Sequence, residues 1–122
     1  MHVRFGAGWH ALEADGQGWL RWSAGKGEIL LDAGTALDAV LEGEWMSIVR
    51  PNKVRVELNG EAVVTLEAKE GDGFQPWPEV RLRLREGRNT LRFASQRKAI
   101  KSTRDPRPLA VALKNLTVRE TS

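Results

Sequence analysis

The sequence predicts an all-β domain built as a two-sheet antiparallel jelly-roll β-sandwich. Apolar residues alternate with polar ones along most of the chain, which is the periodicity of half-buried strands. Gly, Asn and Pro return at roughly 8–12-residue intervals, a spacing typical of sandwiches. No segment keeps a helical period for a useful length. Because 122 residues fit one hydrophobic core, we expect a single domain over residues 1–122.

The clearest hairpin lies at Asn59-Gly60. Residues 54–58 alternate strictly, and residues 61–68 read as the returning strand. Asn-Gly tolerates the positive φ that a two-residue hairpin turn requires. The sequence therefore predicts a tight hairpin here.

A second clean alternation runs through residues 80–85. It places the basic residues Arg81, Arg83 and Arg85 on one side of a strand and apolar residues on the other. Further strands are expected at residues 9–13, 19–23, 28–32, 37–45, 91–93 and 109–118.

The last expected strand contains a change of parity. Its apolar residues alternate regularly up to Leu113, but Leu116 and Val118 fall on the opposite parity. One extra residue near Lys114-Asn115 would restore the register, so we predict a β-bulge there.

Composition excludes several classes of function. The chain has no Cys, and its two histidines are His2 and His10. Disulfides, Cys-ligated zinc and thiol catalysis are therefore excluded, and a triad or a multi-histidine metal site is disfavoured. Glu42 and Glu44 share a strand face, but a solvated face explains them more simply than a carboxylate pair. We expect a non-enzyme that needs no cofactor and no metal.

Targeting signals are absent from the pattern. No stretch approaches the roughly 20 apolar residues of a membrane span, and residues 1–30 lack the pattern of a secretory signal. No membrane association is expected, and the cytoplasm is the default expectation for a compartment that the sequence does not specify.

Charge is unevenly distributed along the chain. Residues 1–48 hold three basic and seven acidic side chains, whereas residues 81–107 hold ten basic and two acidic ones. The ten are Arg81, Arg83, Arg85, Arg88, Arg92, Arg97, Lys98, Lys101, Arg104 and Arg107. This asymmetry suggests an acidic partner or head-to-tail self-association; a solvated face is the alternative.

Two candidate contact surfaces follow. The first is the loop over residues 71–78, where Phe74 and Trp77 could stack on a sugar ring. The alternative for Trp77 is a lid folded over the end of the sandwich.

The second candidate is the row Arg81, Arg83 and Arg85, with Arg92 and Glu57 as neighbours if the sheet order allows. It could bind an anionic glycan, a nucleic acid or an acidic protein surface, or simply be solvated. Nucleic acid is the weakest of these interpretations, since aromatic residues do not interleave with the basic stretch.

Three segments carry a family resemblance. Residues 8–13 read G-W-H-A-L-E, residues 20–22 read L-R-W, and residues 105–112 read D-P-R-P-L-A-V-A. In this order, with two hairpins between, they resemble the small jelly-roll domain attached to bacterial glycosyltransferases and other polysaccharide-handling proteins. The resemblance runs from about Phe5 to Val118. The sequence departs from the family at His10, where Tyr is usual. Such domains are normally attached to a catalytic partner, whereas a single domain over residues 1–122 is expected here.

The resemblance implies a galactose-binding-like sandwich and a non-catalytic module that binds or positions glycan. The alternative from a different class is a structural jelly-roll protein, such as a capsid, fibre or multi-subunit surface component, assembled through a partner protein or through self-association.

The residues that match the family's motifs form a structural signature. They are Trp9, Glu13, Arg21, Trp22, Asp105 and Arg107. The two tryptophans would supply buried area, and the charged residues two acid–base sets that meet inside one end of the sandwich. A scaffold role is favoured, and ligand contact is the alternative.

Overall fold

The computed structural model describes residues 1–14, 16–101, 105 and 107–121. Within them the chain forms eleven strands and no helix, so no described helix could cross a membrane. The strands are β1 (His2–Phe5), β2 (Glu13–Ala14), β3 (Trp19–Trp22), β4 (Lys26–Ala33), β5 (Leu37–Ser47), β6 (Asn52–Leu58), β7 (Glu61–Ala68), β8 (Gln75–Pro76), β9 (Arg81–Leu84), β10 (Gly87–Ser95) and β11 (Val111–Thr121).

These strands form two antiparallel sheets. One has five strands in the order β1-β4-β10-β6-β7. The other has six, with β2-β3-β11-β5-β8 in order and β9 also paired to β5. The predicted all-β, two-sheet sandwich is confirmed.

Alternate side chains of both sheets fill the space between them. Phe93 of β10 is almost fully buried and lies edge-on to Trp9, with ring centroids 6.0 Å apart. The ring of Trp77 also packs on Phe93, with ring centroids 5.6 Å apart. Large aromatic rings remove much apolar surface from water, so this cluster is a main source of stability.

The predicted turn and bulge are both confirmed. Asn59 and Gly60 have φ of 51° and 88°, as a hairpin of this length requires. On β11 the register with β5 shifts between Lys114 and Thr117, and Asn115 has φ of 50°. Opposite the bulge stands Gly43, where an added Cβ would lie 2.7 Å from a backbone oxygen of β11.

The first part of the chain differs from the sequence prediction. Residues 9–13 do not form a strand: Trp9 makes an isolated bridge to Ser23, and pairing resumes only at Glu13. The Trp9 ring lies against Gly27, where an added Cβ would be 2.5 Å from the ring. The edge strand β1 is not among the predicted strands; it alternates polar and apolar residues over only four positions and is largely exposed.

Three residues of the predicted features lie outside the described residues: Asp15 among the acidic side chains of residues 1–48, Arg104 in the basic segment and Pro106 in the last motif.

Candidate functional site

The outer face of the five-stranded sheet, called here the five-stranded face, presents polar side chains in rows that cross the strands. The Arg92 row consists of Glu28, Arg92 and Glu57, which are paired across β4, β10 and β6. Arg92 donates from Nη2 to Oε1 of Glu28 at 2.7 Å and from Nε to the same oxygen at 3.2 Å. Both side chains stay open to solvent, so the pair forms a fixed polar feature on the surface.

The next row, called here the Ala94 row, consists of Lys26, Ala94, Arg55 and Thr65, paired across β4, β10, β6 and β7. Nε of Arg55 lies 2.7 Å from Oε1 of Glu57, which links this row to the first. On the central strand, β10, the side chain of this row is only the methyl group of Ala94. The surface is therefore depressed at Ala94, between the longer side chains of the neighbouring strands.

Shallow depressions follow these rows across the face. One of about 530 Å³ is lined by residues that include Lys26, Glu28, Arg92 and Ala94. Another of about 350 Å³ also borders Ala94, on the side of Arg55 and Thr65. The two adjoin at Ala94, so the face offers a continuous, open groove rather than an enclosed pocket.

The groove extends to one of the arginines singled out from the sequence. Arg85 lines a depression of about 280 Å³ together with Glu57, Thr90 and Arg92. The neighbourhood expected for the arginine row, with Arg92 and Glu57, therefore exists for Arg85.

Arg81 and Arg83 lie elsewhere. They belong to β9, which pairs with β5 in the other sheet, and their apolar neighbours in sequence are buried as predicted. Arg81 pairs with Glu79 at 3.5 Å and Arg83 with Asp38 at 3.0 Å, all four side chains being well exposed. The three arginines are thus divided between two surfaces.

The aromatic loop differs from its predicted binding role. Trp77 is only 8% exposed and packs on Phe93, so its ring is the lid over the core and is not free to stack on a sugar. Its Nε1 has no hydrogen-bond partner among the described residues. Phe74 is half-buried, and its ring lies 5.3 Å from Nζ of Lys114. A large apolar ring gains more free energy from burial in the core than from exposure to water. The expectation of an exposed indole is therefore wrong, and the alternative of a lid is confirmed for Trp77.

The signature residues Glu13, Asp105 and Arg107 form one network. Nη2 of Arg107 lies 2.6 Å from Oδ2 of Asp105 and 3.2 Å from Oε2 of Glu13. These hydrogen bonds hold the pKa of Asp105 at about 2, below its ordinary 3.8, and raise the pKa of Arg107. The network was expected inside the sandwich, but the side chains are 33%, 41% and 26% exposed for Arg107, Glu13 and Asp105. It lies at the surface because Glu13 pairs with Leu20, whose face of β3 points away from the core.

Arg21 does not join this network. Its Nε donates to the carbonyl of His10 at 2.7 Å, and its guanidinium stacks 4.7 Å from the centre of Phe5. The expected second acid–base set is therefore wrong: among the described residues Arg21 makes backbone and cation–π contacts instead of an ion pair.

The signature tryptophans have different surroundings. Trp9 donates from Nε1 to the carbonyl of Glu28 at 2.9 Å and packs against Phe5 and Phe93. Trp22 lies on the outer face of the six-stranded sheet, in register with Ala112 of β11. Trp9 is thus packed among core aromatic rings, and Trp22 is only half-buried; the scaffold role of the signature stays a prediction.

Metal ligands do not cluster in the described part of the chain, where no group of three or more His, Asp or Glu side chains could hold an ion. Asp72 accepts the backbone N–H of Lys69 at 2.8 Å and Nε2 of Gln75 at 3.1 Å, which fixes a turn.

Sequence reasoning missed most of the groove. Its residues occupy polar positions of alternating strands, as do Glu28, Lys26 and Arg55. This pattern identifies a side chain as outward-facing but does not indicate which other side chains lie beside it. Their meeting with Arg92 and Ala94 depends on which strands are neighbours, and the pattern of one chain does not specify sheet order.

Comparison with known proteins shows what this fold is. No family model and no curated protein matches the sequence. Among solved structures, a GH26-CBM35 β-(1,4)-mannanase of Podospora anserina is similar with TM-score 0.58 at 13% identity, covering 98% of this chain and 25% of that one. The chain thus spans about a quarter of that enzyme.

Isolated modules are matched over nearly their whole length. A family 35 carbohydrate-binding module of Clostridium thermocellum gives TM-score 0.52 at 17% identity, covering 92% of this chain and 89% of that one. A family 35 module from an environmental isolate gives 0.54 at 14% identity, covering 100% and 93%. The protein therefore has the jelly-roll sandwich fold of family 35 carbohydrate-binding modules.

Proposed function

We propose that this protein is a non-catalytic module that binds glycan, and that the five-stranded face is its contact surface. Solved structures with the same fold are described as carbohydrate-binding modules, which supports the class of function. The observation that carries the proposal is the groove itself, where adjoining depressions place Arg92, Glu28 and Thr90 along one open surface.

The chemistry of the Arg92 row suits sugar hydroxyls. Each hydroxyl both donates and accepts, so a guanidinium beside a carboxylate can serve two neighbouring hydroxyls of one ring. Arg92 is already held by Glu28 before any ligand arrives. Less side-chain entropy is therefore lost on binding than for a free arginine.

The same row does not favour turnover. A glycosidase places two carboxyl groups on either side of the scissile bond in a cleft that controls water. Here Glu28 and Glu57 each contact an arginine on an open sheet surface. This geometry supports recognition of a chain that passes over the face.

Association with a glycosyltransferase or another polysaccharide-handling protein is a finer part of the proposal and rests on the sequence resemblance. Binding to a partner protein, self-association and the assembly alternative likewise remain predictions.

Arg92→Gln tests the contact surface, with Arg119→Gln as its matched control. Arg119 also pairs with a glutamate, Glu42, but on β11 and β5 of the other sheet. We expect Arg92→Gln to weaken retention in polysaccharide affinity gels about tenfold, the value of a charged hydrogen bond, and Arg119→Gln to leave it unchanged. Equal retention of both variants would place the site elsewhere. A protein retained by no polysaccharide would refute the proposed function.

A further inference from the structure

We infer that the turn between β6 and β7 is a modification site: Asn59 deamidates through attack by the backbone nitrogen of Gly60, and hydrogen bonds to β10 slow this reaction in the folded protein. The chemistry lies within the chain and does not depend on what the five-stranded face binds.

The reaction needs only the chain itself and water. The amide nitrogen of Gly60 loses its proton to a base of the solvent and forms a bond with Cγ of Asn59. The bond between Cγ and Nδ2 breaks, and the nitrogen leaves as ammonia, so that a succinimide ring closes. Water then opens the ring at either carbonyl and leaves aspartate or isoaspartate at position 59, with no change of oxidation state.

The turn leaves the attacking nitrogen accessible. Asn59 and Gly60 are both exposed, and a Cβ added to Gly60 would meet no atom within 4 Å outside the adjoining residues. A side chain on the residue after an asparagine hinders this attack, and glycine has none. The nitrogen of Gly60 is therefore shielded neither by its own residue nor by a neighbouring element.

Charged side chains beside the turn are mostly positive. Arg85 and Arg92 line the same depression as Asn59 and Gly60, together with Glu57. Positive charge favours both the ionised amide nitrogen that attacks and the carboxylate that the reaction leaves, whereas Glu57 opposes both. The surroundings of the turn thus favour the reaction once the side chain is free to react.

Both polar atoms of the Asn59 side chain have partners in the folded protein. Nδ2 donates to Oδ1 of Asn89 at 2.9 Å, and Oδ1 accepts the backbone N–H of Thr90, also at 2.9 Å. Ring closure bends the side chain onto its own backbone and expels Nδ2, so it breaks the bond to Asn89 and strains the other. Two ordinary hydrogen bonds lower the reactive fraction on the order of tenfold.

Asn89 is unable to adapt to the product. It is 0% exposed, and its Nδ2 donates to the carbonyl oxygens of Arg85 and Gly87 at 2.9 and 3.2 Å. Its Oδ1 also accepts the backbone N–H of Arg85 at 3.0 Å. Rotating this amide by a half-turn would set both of its ends against like groups, so Oδ1 must stay an acceptor. A carboxylate at position 59 would face that oxygen without a hydrogen to share, and deamidation therefore detaches the turn from β10.

Asn115 provides an internal comparison. Its backbone is left-handed like that of Asn59, with φ of 50° against 51°, and its Oδ1 accepts the backbone N–H of Trp19 at 2.9 Å. The residue that follows it is Leu116, which is only 8% exposed. The two asparagines thus differ in the residue that carries the attacking nitrogen, and only Asn59 is expected to react in the folded protein.

The experiment follows deamidation by peptide mapping with mass spectrometry. Wild type is incubated folded and, in parallel, unfolded in guanidinium chloride at the same pH and temperature. We expect Asn59 to react in both samples, about tenfold faster in the unfolded chain, while Asn115 stays unchanged in the folded protein. Asn59→Gly keeps a residue that tolerates the left-handed turn and should give no product in this peptide.

Hydrogen exchange tests what the product does to the turn. In Asn59→Asp, backbone amides in peptides that contain residues 57–62 and 88–92 should exchange faster than in wild type, because the bond to Asn89 is lost. Exchange in β11, which belongs to the other sheet, should be unchanged.

Each other outcome overturns part of the inference. An Asn59 that stays intact in the unfolded chain would refute the modification site. Equal rates in the folded and unfolded protein would show that the bonds to β10 give no protection. Reaction at Asn115 before Asn59 in the folded protein would contradict the role assigned to Gly60, and unchanged exchange in Asn59→Asp would refute the detachment. The affinity gels test glycan binding separately, so none of these results affects that proposal.

Discussion

Two alanines occupy equivalent places on the two outer faces of the sandwich. Ala94 is the central residue of its row and remains partly exposed. Ala112 points outward from β11, since its neighbours Val111 and Leu113 face the core, yet it is 0% exposed. The residue is the same, so the flanking side chains must make the difference.

The flanking residues differ in both size and charge. Ala112 is in register with Trp22 on β3 and Met46 on β5, two large apolar side chains. The alanine between them is completely buried. Lys26 and Arg55 instead extend into solvent beside Ala94. A small residue on a sheet surface therefore leaves a depression where the side chains beside it are charged and extend into solvent, as at Ala94. Where they are large and apolar, as at Ala112, the small residue is buried.

Cations on the two faces follow the same distinction. Lys114, on the six-stranded face, is only 9% exposed: its Nζ lies 5.3 Å from the centre of the Phe74 ring and 3.2 Å from Oε1 of Gln17. Lys26 is exposed. The first lysine is part of the structure of its sheet, and the second is available to a ligand.

The largest effect is expected from enlarging the two alanines. Ala112→Leu enlarges a completely buried side chain, and we expect a loss of about 1–3 kcal/mol in the free energy of unfolding. Ala94→Leu, at an open site, should change that free energy by less than about 0.5 kcal/mol. Chemical denaturation of both variants measures the difference. Similar losses of unfolding free energy in the two variants would mean that the two alanines are equally closely packed, which would contradict the difference between the faces.

A smaller effect concerns Asp105, whose network with Arg107 includes Glu13 of the six-stranded sheet. Arg107→Gln should raise the pKa of Asp105 from about 2 towards 3.8, because the guanidinium is the main cause of the lowering. The carboxyl carbon shift in an NMR pH titration reports this pKa. Arg119→Gln is the control and should leave it unchanged.

The direction of the pH effect on stability follows from the same shift. A pKa that is lower in the folded state means that the pair stabilises the fold above about pH 4 and loses that contribution as the pH falls towards 2. Wild type should therefore lose melting temperature over this interval more than Arg107→Gln does. Parallel curves for the two proteins would contradict the assignment.

The sequence sufficed where a feature depends on neighbouring residues in the chain. Asn59-Gly60 specified its hairpin through backbone freedom, and the parity change near Asn115 located the bulge. Features that join distant strands could not be found in this way. The meeting of Arg92 with Glu28 requires knowledge that β4 and β10 are neighbours.

Burial of individual side chains was equally hard to predict. Trp77 stands between two prolines in a loop, and local sequence does not distinguish an exposed ring from a lid. Arg21 was paired by charge with a carboxylate, whereas its position beside Phe5 and the His10 carbonyl decided its partners. In both cases the deciding contacts come from other elements of the fold.

The smallest effect is expected from Trp22→Ala. Since Trp22 is half-buried and in register with the buried Ala112, removing its ring should lower the melting temperature. Polysaccharide retention should stay within about twofold of wild type when measured where both proteins are folded. Affinity gels with the polymer that wild type retains best provide the test, and Arg92→Gln supplies the positive control for lost binding. A large loss of retention by Trp22→Ala alone would move the binding surface to the six-stranded face. There Glu13, with Arg107 and Asp105, would provide polar groups beside an aromatic platform, and the family signature would mark ligand contacts rather than scaffold.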